Sequence, residues 1–439
     1  MLSFKTAALL AAVLLTAGCS GFFGESEEPP LPGKREPILE TSRTVKPHLS
    51  LSNTQVTIPP ENKRQNWPQA NGSAAHSGGH PALGQSLTQL WSTSTATGAV
   101  DEARRPLTPP IVANGRVFLM DAVLNVRAYD AETGREIWAI GSASQGEHDG
   151  FGGGVASDGP RVYAVGGHGE ALALEAETGR LFWRASLPGP ARGAPTVRDG
   201  KLFVVTADNR LLALNTDDGR LAWDLPSSGA SAGILGGSSA AANDDAVVAA
   251  MATGELLAVR TSNGRELWRN SLAALRRFDF GAKLSDIEGQ PVLDGDRVYA
   301  VSAAGRAAAF SMRTGNRIWE RPLGSTQTPW LAGDWMFLVT TEAELVAIDR
   351  NTGFARWVHQ MPRFDDPEDK EGEFHYAGPV LAGGTLHLIR SDGTLFRHSP
   401  VDGKALAQVD TGDETYLPPV IANGTLFLFA DDGTLSAFR

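Results

Sequence analysis

The sequence has few of the features that mark several common protein classes. Only one cysteine, Cys19, occurs in 439 residues, so no disulfide can form within the chain. Basic residues are outnumbered, with 39 Lys and Arg against 50 Asp and Glu, and the formal net charge is -11. This balance argues against nucleic acid or an anionic lipid surface as a partner. No segment keeps a helical period, which argues against a helical fold.

No apolar run is long enough to cross a membrane. The longest, Ala7–Leu15, follows a short start with one basic residue and ends near Thr16-Ala17-Gly18-Cys19. A run of this length predicts a secretory signal rather than a membrane span. We therefore assign residues 1–18 to a signal peptide. An ordinary cleavable signal, with Cys19 present by chance, is the alternative to lipid attachment at this cysteine.

The residues around the cleavage site resemble a bacterial lipobox, with Thr16 where Leu is usual. The resemblance implies that Cys19 carries lipid and becomes the mature N-terminus. Ser20, rather than Asp, follows it, which by the bacterial sorting rule favours the outer membrane. We expect a lipid-anchored protein that faces the periplasm.

Two further segments precede the main body. Residues 19–65 are rich in Pro, Glu, Ser and Lys, a composition that predicts a disordered tether. Residues 66–86 are Gly- and Ser-rich and are expected to wrap the outside of the following domain. His76 and His80 lie four residues apart there, but without a helical pattern they do not predict a metal site.

One short phrase organises residues 87–439: a turn that ends in Gly, three residues, then Trp. Its copies are spaced by roughly 40 to 50 residues, a period typical of propellers. The complete copies are Thr133-Gly134 with Trp138, Thr178-Gly179 with Trp183, Asp218-Gly219 with Trp223, Asn263-Gly264 with Trp268, Thr314-Gly315 with Trp319, and Thr352-Gly353 with Trp357. Asp402-Gly403 is followed by Ala407 instead, and Trp91 has no turn before it.

Each repeat contains short β-branched and aromatic runs bounded by Gly, Asn and Asp, such as Arg161–Val165 and Ala171–Leu174. These runs predict strands joined by hairpins, four to a blade. The chain ends with three strands and begins with one around Trp91, so we expect the N-terminal strand to complete the last blade. The prediction is an all-β, eight-bladed β-propeller. Its Trp residues should wedge between blades, each worth about 3–5 kcal/mol, and Ala407 should mark the weakest joint.

Three connections are longer than a blade needs. Ser227 to Ala242 holds the apolar pair Ile234-Leu235, and Leu275 to Gln290 holds Asp286 and Glu288. Both follow Trp strands of consecutive repeats, so they should emerge side by side and could form a protein-binding patch. The alternative is that the apolar pair packs under its own loop. The acidic insertion Phe364–Phe374 lacks calcium-loop spacing and predicts a solvated loop.

The repeated phrase resembles that of pyrroloquinoline-quinone (PQQ) dehydrogenases and their non-enzymatic relatives. With the lipobox, tether and eight blades, the chain is similar to the BamB family of outer-membrane lipoproteins. The resemblance implies docking on the POTRA domains of BamA and no catalysis, as a monomer within a hetero-complex. Leu284–Glu288 matches one family loop well. Ile234 and Gly236 match the other, whereas Leu235 stands where the family has Arg.

Two other functions stay open at this point. A PQQ-dependent dehydrogenase would resemble this repeat, but such enzymes pair adjacent cysteines with a Glu, Asn and Asp set around Ca²⁺. Here the innermost strands carry small or apolar residues such as Gly152–Val155. A generic periplasmic scaffold is the other alternative, since propellers host many functions. The remaining histidines are scattered, with no nucleophile elbow, so we predict no catalytic residue, cofactor or metal.

Overall fold

The computed structural model describes residues 44–95, 108–141, 152–227, 238–272 and 289–439. Within these ranges the chain forms 34 strands and two 3-10 turns, Leu49–Leu51 and Ala70–Gly72. The strands build eight antiparallel sheets of four strands, the blades of a propeller, and one separate two-stranded hairpin. The predicted eight-bladed fold is confirmed.

Strand β1 (Gln89–Ser94) comes first in the chain, and blades 1 to 4 follow. Their strands are β2 (Ile111–Ala113), β3 (Arg116–Met120), β4 (Val126–Asp130) and β5 (Glu136–Ile140); β6 (Gly153–Ser157), β7 (Arg161–Gly166), β8 (Glu170–Glu175) and β9 (Leu181–Ser186); β10 (Thr196–Arg198), β11 (Lys201–Val205), β12 (Arg210–Asn215) and β13 (Leu221–Pro226); β14 (Ala241–Ala242), β15 (Ala246–Ala250), β16 (Glu255–Arg260) and β17 (Glu266–Ser271).

Blades 5 to 8 follow in the same order, with the extra hairpin β26–β27 between blades 6 and 7. Their strands are β18 (Val292–Asp294), β19 (Arg297–Ser302), β20 (Arg306–Ser311) and β21 (Arg317–Arg321); β22 (Trp330–Ala332), β23 (Trp335–Val339), β24 (Glu344–Asp349) and β25 (Ala355–Gln360); β26 (Phe364–Asp366) and β27 (Glu371–Glu373); β28 (Tyr376–Ala382), β29 (Thr385–Arg390), β30 (Thr394–His398) and β31 (Ala405–Asp410); β32 (Val420–Ala422), β33 (Thr425–Phe429) and β34 (Thr434–Phe438).

The last blade closes the ring as predicted. Its sheet has the order β1-β34-β33-β32, so the strand before blade 1 becomes the outermost strand of blade 8. Thr88 and Arg439 exchange backbone hydrogen bonds of 2.9 Å in both directions beside this pairing. The two ends of the propeller are thus held together by main-chain bonds, and β34 is paired on both sides instead of forming an exposed edge.

The recurrent Trp and Gly form the joints between neighbouring blades. Trp183 of blade 2 lies on Gly219 of blade 3, so close that a Cβ on the glycine would be 2.5 Å from the ring. Its indole Nε1 donates to the carbonyl of Thr216 in the same turn, at 2.8 Å. Each of the other six Trp residues of the repeat makes the same two contacts with the turn of the blade that follows it round the ring. The predicted wedge is confirmed, and its seat is the turn glycine of the next blade.

Residues 44–58 pack along blade 6 instead of forming part of a disordered tether. His48 donates its backbone N–H to Ala355 at 2.8 Å and stacks its ring on Phe354 at 3.8 Å. Leu51 and Val56 are buried. The predicted end of the tether at residue 65 is therefore wrong: proline-rich composition suggested disorder, but the few apolar residues in this stretch are enough to dock it on the outer strand.

The predicted wrapping of residues 66–86 around the outside is also wrong. Residues 62–83, here called the plug, contact the innermost strands and their hairpins in all eight blades. Going round the ring, the plug residues and their main partners are Arg64 with Asn423, Trp67 with Val112, Pro68 with Ser157, Gln69 with Val197, Ala74 with Ala242, Ala75 with Leu293, Gly79 with Trp330, Pro81 with Gly383 and Leu83 with Gly424. The plug thus lies across the axis, where the innermost strands offer unpaired backbone groups.

The acidic insertion is a short hairpin, β26–β27, rather than an irregular loop. Phe364 pairs with Glu373, and Asp366 pairs with Glu371 across it. Arg363 binds Glu373 at 2.9 Å at its base. Its acidic residues are mostly exposed, in agreement with the predicted solvation.

Candidate functional site

All connections between consecutive blades leave the propeller at one end. In each blade the outermost strand ends beside the start of the third strand, as Pro226 pairs with Arg210 in blade 3. The turns between second and third strands lie at this same end, here called the connection face. The plug contacts the opposite end, where the innermost strands turn back. The strand ends from which the two long connections start, at Ser227 and Leu272, therefore both lie on the connection face.

The predicted partner-binding residues Ile234, Leu235, Gly236, Asp286 and Glu288 lie outside the described residues, and so does Cys19. What the structure does describe is the pair of bases on which the two predicted loops stand. The first connection leaves from Ser227 and the second from Leu272, at consecutive blades. The two bases therefore lie on one face at consecutive blades, while the placement and the roles of the loop residues stay predictions.

The first base is held by three residues of blades 3 and 4. Ser227 donates its backbone N–H to the carbonyl of Asn209 at 2.8 Å. Its hydroxyl donates to Glu255 at 2.8 Å and accepts from Arg269 at 2.9 Å. Arg269 also lies 3.3 Å from Glu255 and donates a hydrogen bond to Glu266. That hydrogen bond above all, together with the charges of both carboxylates, raises the pKa of Arg269. Backbone and side chain of Ser227 are thus both fixed.

The second base is held by Gly254, which directly precedes Glu255 in the same turn of blade 4. Leu272 is fully buried and donates its N–H to the carbonyl of Gly254 at 2.8 Å. The hydroxyl of Ser271 donates to the same carbonyl at 3.4 Å. Gly254 and Glu255 are adjacent, so one turn of blade 4 contacts the bases of both predicted loops. On the far side of the second loop, Gln290 accepts a 3.0 Å hydrogen bond from Asn71 of the plug.

Four cross-strand charge pairs line the connection face of blades 2 to 5. Each joins the first residue of a third strand to the residue that follows the Trp, and the order of the charges alternates from blade to blade. The pairs are Glu170–Arg184, Arg210–Asp224, Glu255–Arg269 and Arg306–Glu320. Half-exposed pairs of this kind contribute at most about 1 kcal/mol each. Sequence analysis missed them, although the charged residue after Trp in four repeats was a usable signal.

The histidines do not form a metal site in the described ranges. His76 bonds the carbonyl of Pro291, whereas His80 bonds the carbonyl of Pro59, so the two are separated. His359 and His398 come together with their rings 5.0 Å apart, which the sequence did not suggest. No group of three or more His, Cys, Asp or Glu side chains in the described ranges could hold a metal ion. Over those same residues, no helix is long and apolar enough to span a membrane.

Every blade but the seventh carries the repeat Trp, and each Trp contacts a turn glycine of the next blade. These eight blades define a propeller of the PQQ-like repeat class. The sequence model of one family, described as outer membrane protein assembly factor BamB, matches residues 124–359, more than half of the 439 residues. The chain belongs to this family.

Relatives and solved structures agree with that membership. Outer membrane protein assembly factor BamB of Moranella endobia is 27% identical over 305 residues, covering 68% of this chain and 76% of the relative. The crystal structure of BamB from Moraxella catarrhalis has a TM-score of 0.63 at 20% identity, covering 81% of this chain and 98% of that one. Quinohemoprotein alcohol dehydrogenase from Comamonas testosteroni has a TM-score of 0.65 at 14% identity, covering 85% and 80%. The two structural likenesses show the shared fold alone.

Proposed function

We propose that this chain is an assembly factor for outer-membrane β-barrel proteins. It would act as a rigid scaffold: the propeller presents the loops 228–237 and 273–288 in fixed register to one partner. Family membership carries this proposal, and the fixation of both loop bases on one turn of blade 4 supports it. Loops that are ordered before binding lose less entropy on association, so a modest interface can suffice.

The partner we propose is the POTRA domains of BamA. Ile234, Leu235 and Gly236 would supply an apolar contact from the first loop, and Asp286 and Glu288 a charged contact from the second. Leu235 would replace the family's Arg by an apolar contact. Charge at the edge of such a surface mainly selects the partner and speeds encounter.

Charge reversal tests the docking loops directly. Asp286→Arg with Glu288→Arg should reduce binding of purified BamA POTRA domains by at least roughly a hundredfold, because each carboxylate becomes a repelling charge at the interface. The matched control is Glu368→Arg with Glu371→Arg in the exposed hairpin, which gives the same change in net charge on the same face. Binding should be measured by biolayer interferometry, with circular dichroism to confirm the fold. Equal losses in both variants would reject the loop assignment.

The anchor is a separate part of the proposal. We infer that Cys19 carries lipid and holds the chain at the outer membrane, facing the periplasm. Cys19→Ala should then shift the protein from the membrane to the soluble periplasmic fraction. If the variant still sediments with outer membranes in the absence of its partner, the lipid anchor is wrong.

We also propose that the chain is not an enzyme. Support comes from relatives named as assembly factors and from the plug, which occupies the axial end of the innermost strands. The rival is a PQQ-dependent dehydrogenase. Purified protein incubated with PQQ and Ca²⁺ should show neither a retained quinone absorbance nor dye-linked alcohol oxidation; either signal would favour the enzyme.

A further inference from the structure

We propose that Glu255 and Arg269 are positioning residues for the partner surface, acting on the bases of both docking loops through the blade-4 turn. This rests on the proposed function, which assigns the loops themselves. Neither residue belongs to either loop, and no feature of the sequence marks them out from the other charged pairs.

The geometry that carries the inference is the convergence on Ser227. Its hydroxyl lies between the two charged groups, 2.8 Å from Glu255 and 2.9 Å from Arg269. A hydroxyl that both donates to a carboxylate and accepts from a guanidinium has one preferred rotamer and fixes its own backbone. Ser227 is the last described residue before the first loop. The residue from which that loop starts is therefore held by this pair.

The same turn reaches the second loop through its backbone. Gly254, with φ of 78°, presents its carbonyl to the N–H of Leu272 at 2.8 Å. Glu255 follows directly and pairs with Ser271 across the sheet. Thr253 donates to Glu255 at 3.2 Å, so the carboxylate also braces the turn that carries Gly254. Loss of this carboxylate should loosen both bases, whereas loss of the serine hydroxyl should loosen only the first.

Blade 2 offers the matched control. Glu170 and Arg184 occupy the same two positions, 3.4 Å apart, with similar exposure. The turn beside them, at Gly169, holds the base of the connection that begins at Leu187, which is not a proposed docking loop. Glu170→Ala therefore removes an equivalent ion pair from the same face, without touching the base of either docking loop.

The first measurement is hydrogen–deuterium exchange of the full chain without partner. Glu255→Ala should raise exchange in peptides from both sides, 224–240 and 268–290. Ser227→Ala should raise it in the first only, and Glu170→Ala in neither. Exchange that is unchanged in Glu255→Ala would overturn the inference, whether or not the chain binds BamA.

The second measurement is the affinity for the POTRA domains. Glu255→Ala should weaken binding about five-fold, since loops that are less ordered lose more entropy on docking. Glu170→Ala should bind like the wild type. Combined with Asp286→Arg and Glu288→Arg, Glu255→Ala should add no further loss, because it acts through the loops. If charge reversal abolishes binding but Glu255→Ala binds normally, the positioning role fails and the proposed function stands; if charge reversal has no effect, the proposed function fails.

Discussion

The joint between blades 2 and 3 can be tested from its glycine side. Gly219 has φ of 70°, and an added Cβ would lie 2.5 Å from the ring of Trp183, which is 8% exposed and cannot move aside. Gly219→Ala therefore combines two costs. The left-handed backbone costs about 1 kcal/mol for a residue with a side chain, and overpacking against a rigid ring adds about 1–3 kcal/mol. We expect a total loss of about 3 kcal/mol in the free energy of unfolding.

Gly115 separates the two costs. Its φ is 72°, yet nothing lies within 4 Å of an added Cβ. Gly115→Ala should cost only the backbone strain of about 1 kcal/mol. Urea unfolding followed by circular dichroism gives the free energies by linear extrapolation. The difference of about 2 kcal/mol between the variants measures the contact with the neighbouring blade.

A double variant completes the test. Trp183→Ala alone should cost about 3–5 kcal/mol, because it empties the joint and removes the bond to Thr216. On that background, Gly219→Ala no longer meets a ring and should add only about 1 kcal/mol. If Gly219→Ala costs the same as Gly115→Ala, or adds its full cost to Trp183→Ala, the glycine is not the seat of the Trp.

Three further predictions concern stability. Burial lowers the pKa of His76 to about 4, so the unfolded chain takes up its proton first and stability should fall below pH 6.5, by about 2 kcal/mol at pH 5; His76→Gln should reduce this slope in urea titrations at several pH values. Burial raises the pKa of Glu344, so its carboxylate costs stability as the pH rises through that pKa; Glu344→Gln, which still accepts from Val45, should match the wild type in acid and melt higher at pH 8. Ala407→Trp should give no gain in melting temperature, because the Arg397 side chain lies across the sheet from it and no turn glycine follows.

The propeller was predictable because its signal is local. A turn glycine and the Trp four residues later recur in six complete copies, and each copy contains the whole structural unit. Closure was predictable for the same reason, since three strands at one end and one at the other complete a blade. Short hairpins leave little freedom in how such strands pair.

The plug was not predictable because its contacts are distant in sequence and made mostly by backbone. Gln69 binds the N–H and the carbonyl of Val197, 128 residues away, and its side chain could satisfy any strand edge equally well. Trp67 is 2% exposed and stacks on Trp330 across the axis, at 5.8 Å. Neither contact leaves a period in the sequence. Composition alone suggested an outer wrapping and a longer tether.

The base of the candidate site was hidden for a different reason. Glu255 and Arg269 look like any half-exposed charged pair, and equivalent pairs stand in blades 2, 3 and 5. What distinguishes them is Ser227, which belongs to the preceding blade and meets them only in the folded ring. A sequence pattern read one repeat at a time cannot show a contact that is built between repeats.

The absence of Trp at position 407 is also explained by a contact between neighbouring blades. In blade 6 the row Phe337–Ala347–Trp357 crosses the second, third and fourth strands, and blade 7 has His387–Arg397–Ala407 in its place. Each Trp is seated on the turn between the third and fourth strands of the next blade. Blade 8 has no such turn, because its third strand, β34, is paired with β1, a strand that precedes blade 1 in the chain.

A Trp at position 407 would therefore have no seat. Arg397 instead donates to the backbone carbonyl of Gln85, in the segment that leads into β1, and also to its side chain. Gln85 in turn donates to Gly383 at 2.6 Å. The N-terminal segment thus bridges blade 7 and the seam, where the other joints use a ring on a turn. Ala407 stands where the repeat has Trp, in the blade before the closing blade. The substitution is expected there, because the closing blade lacks the turn on which that Trp would pack.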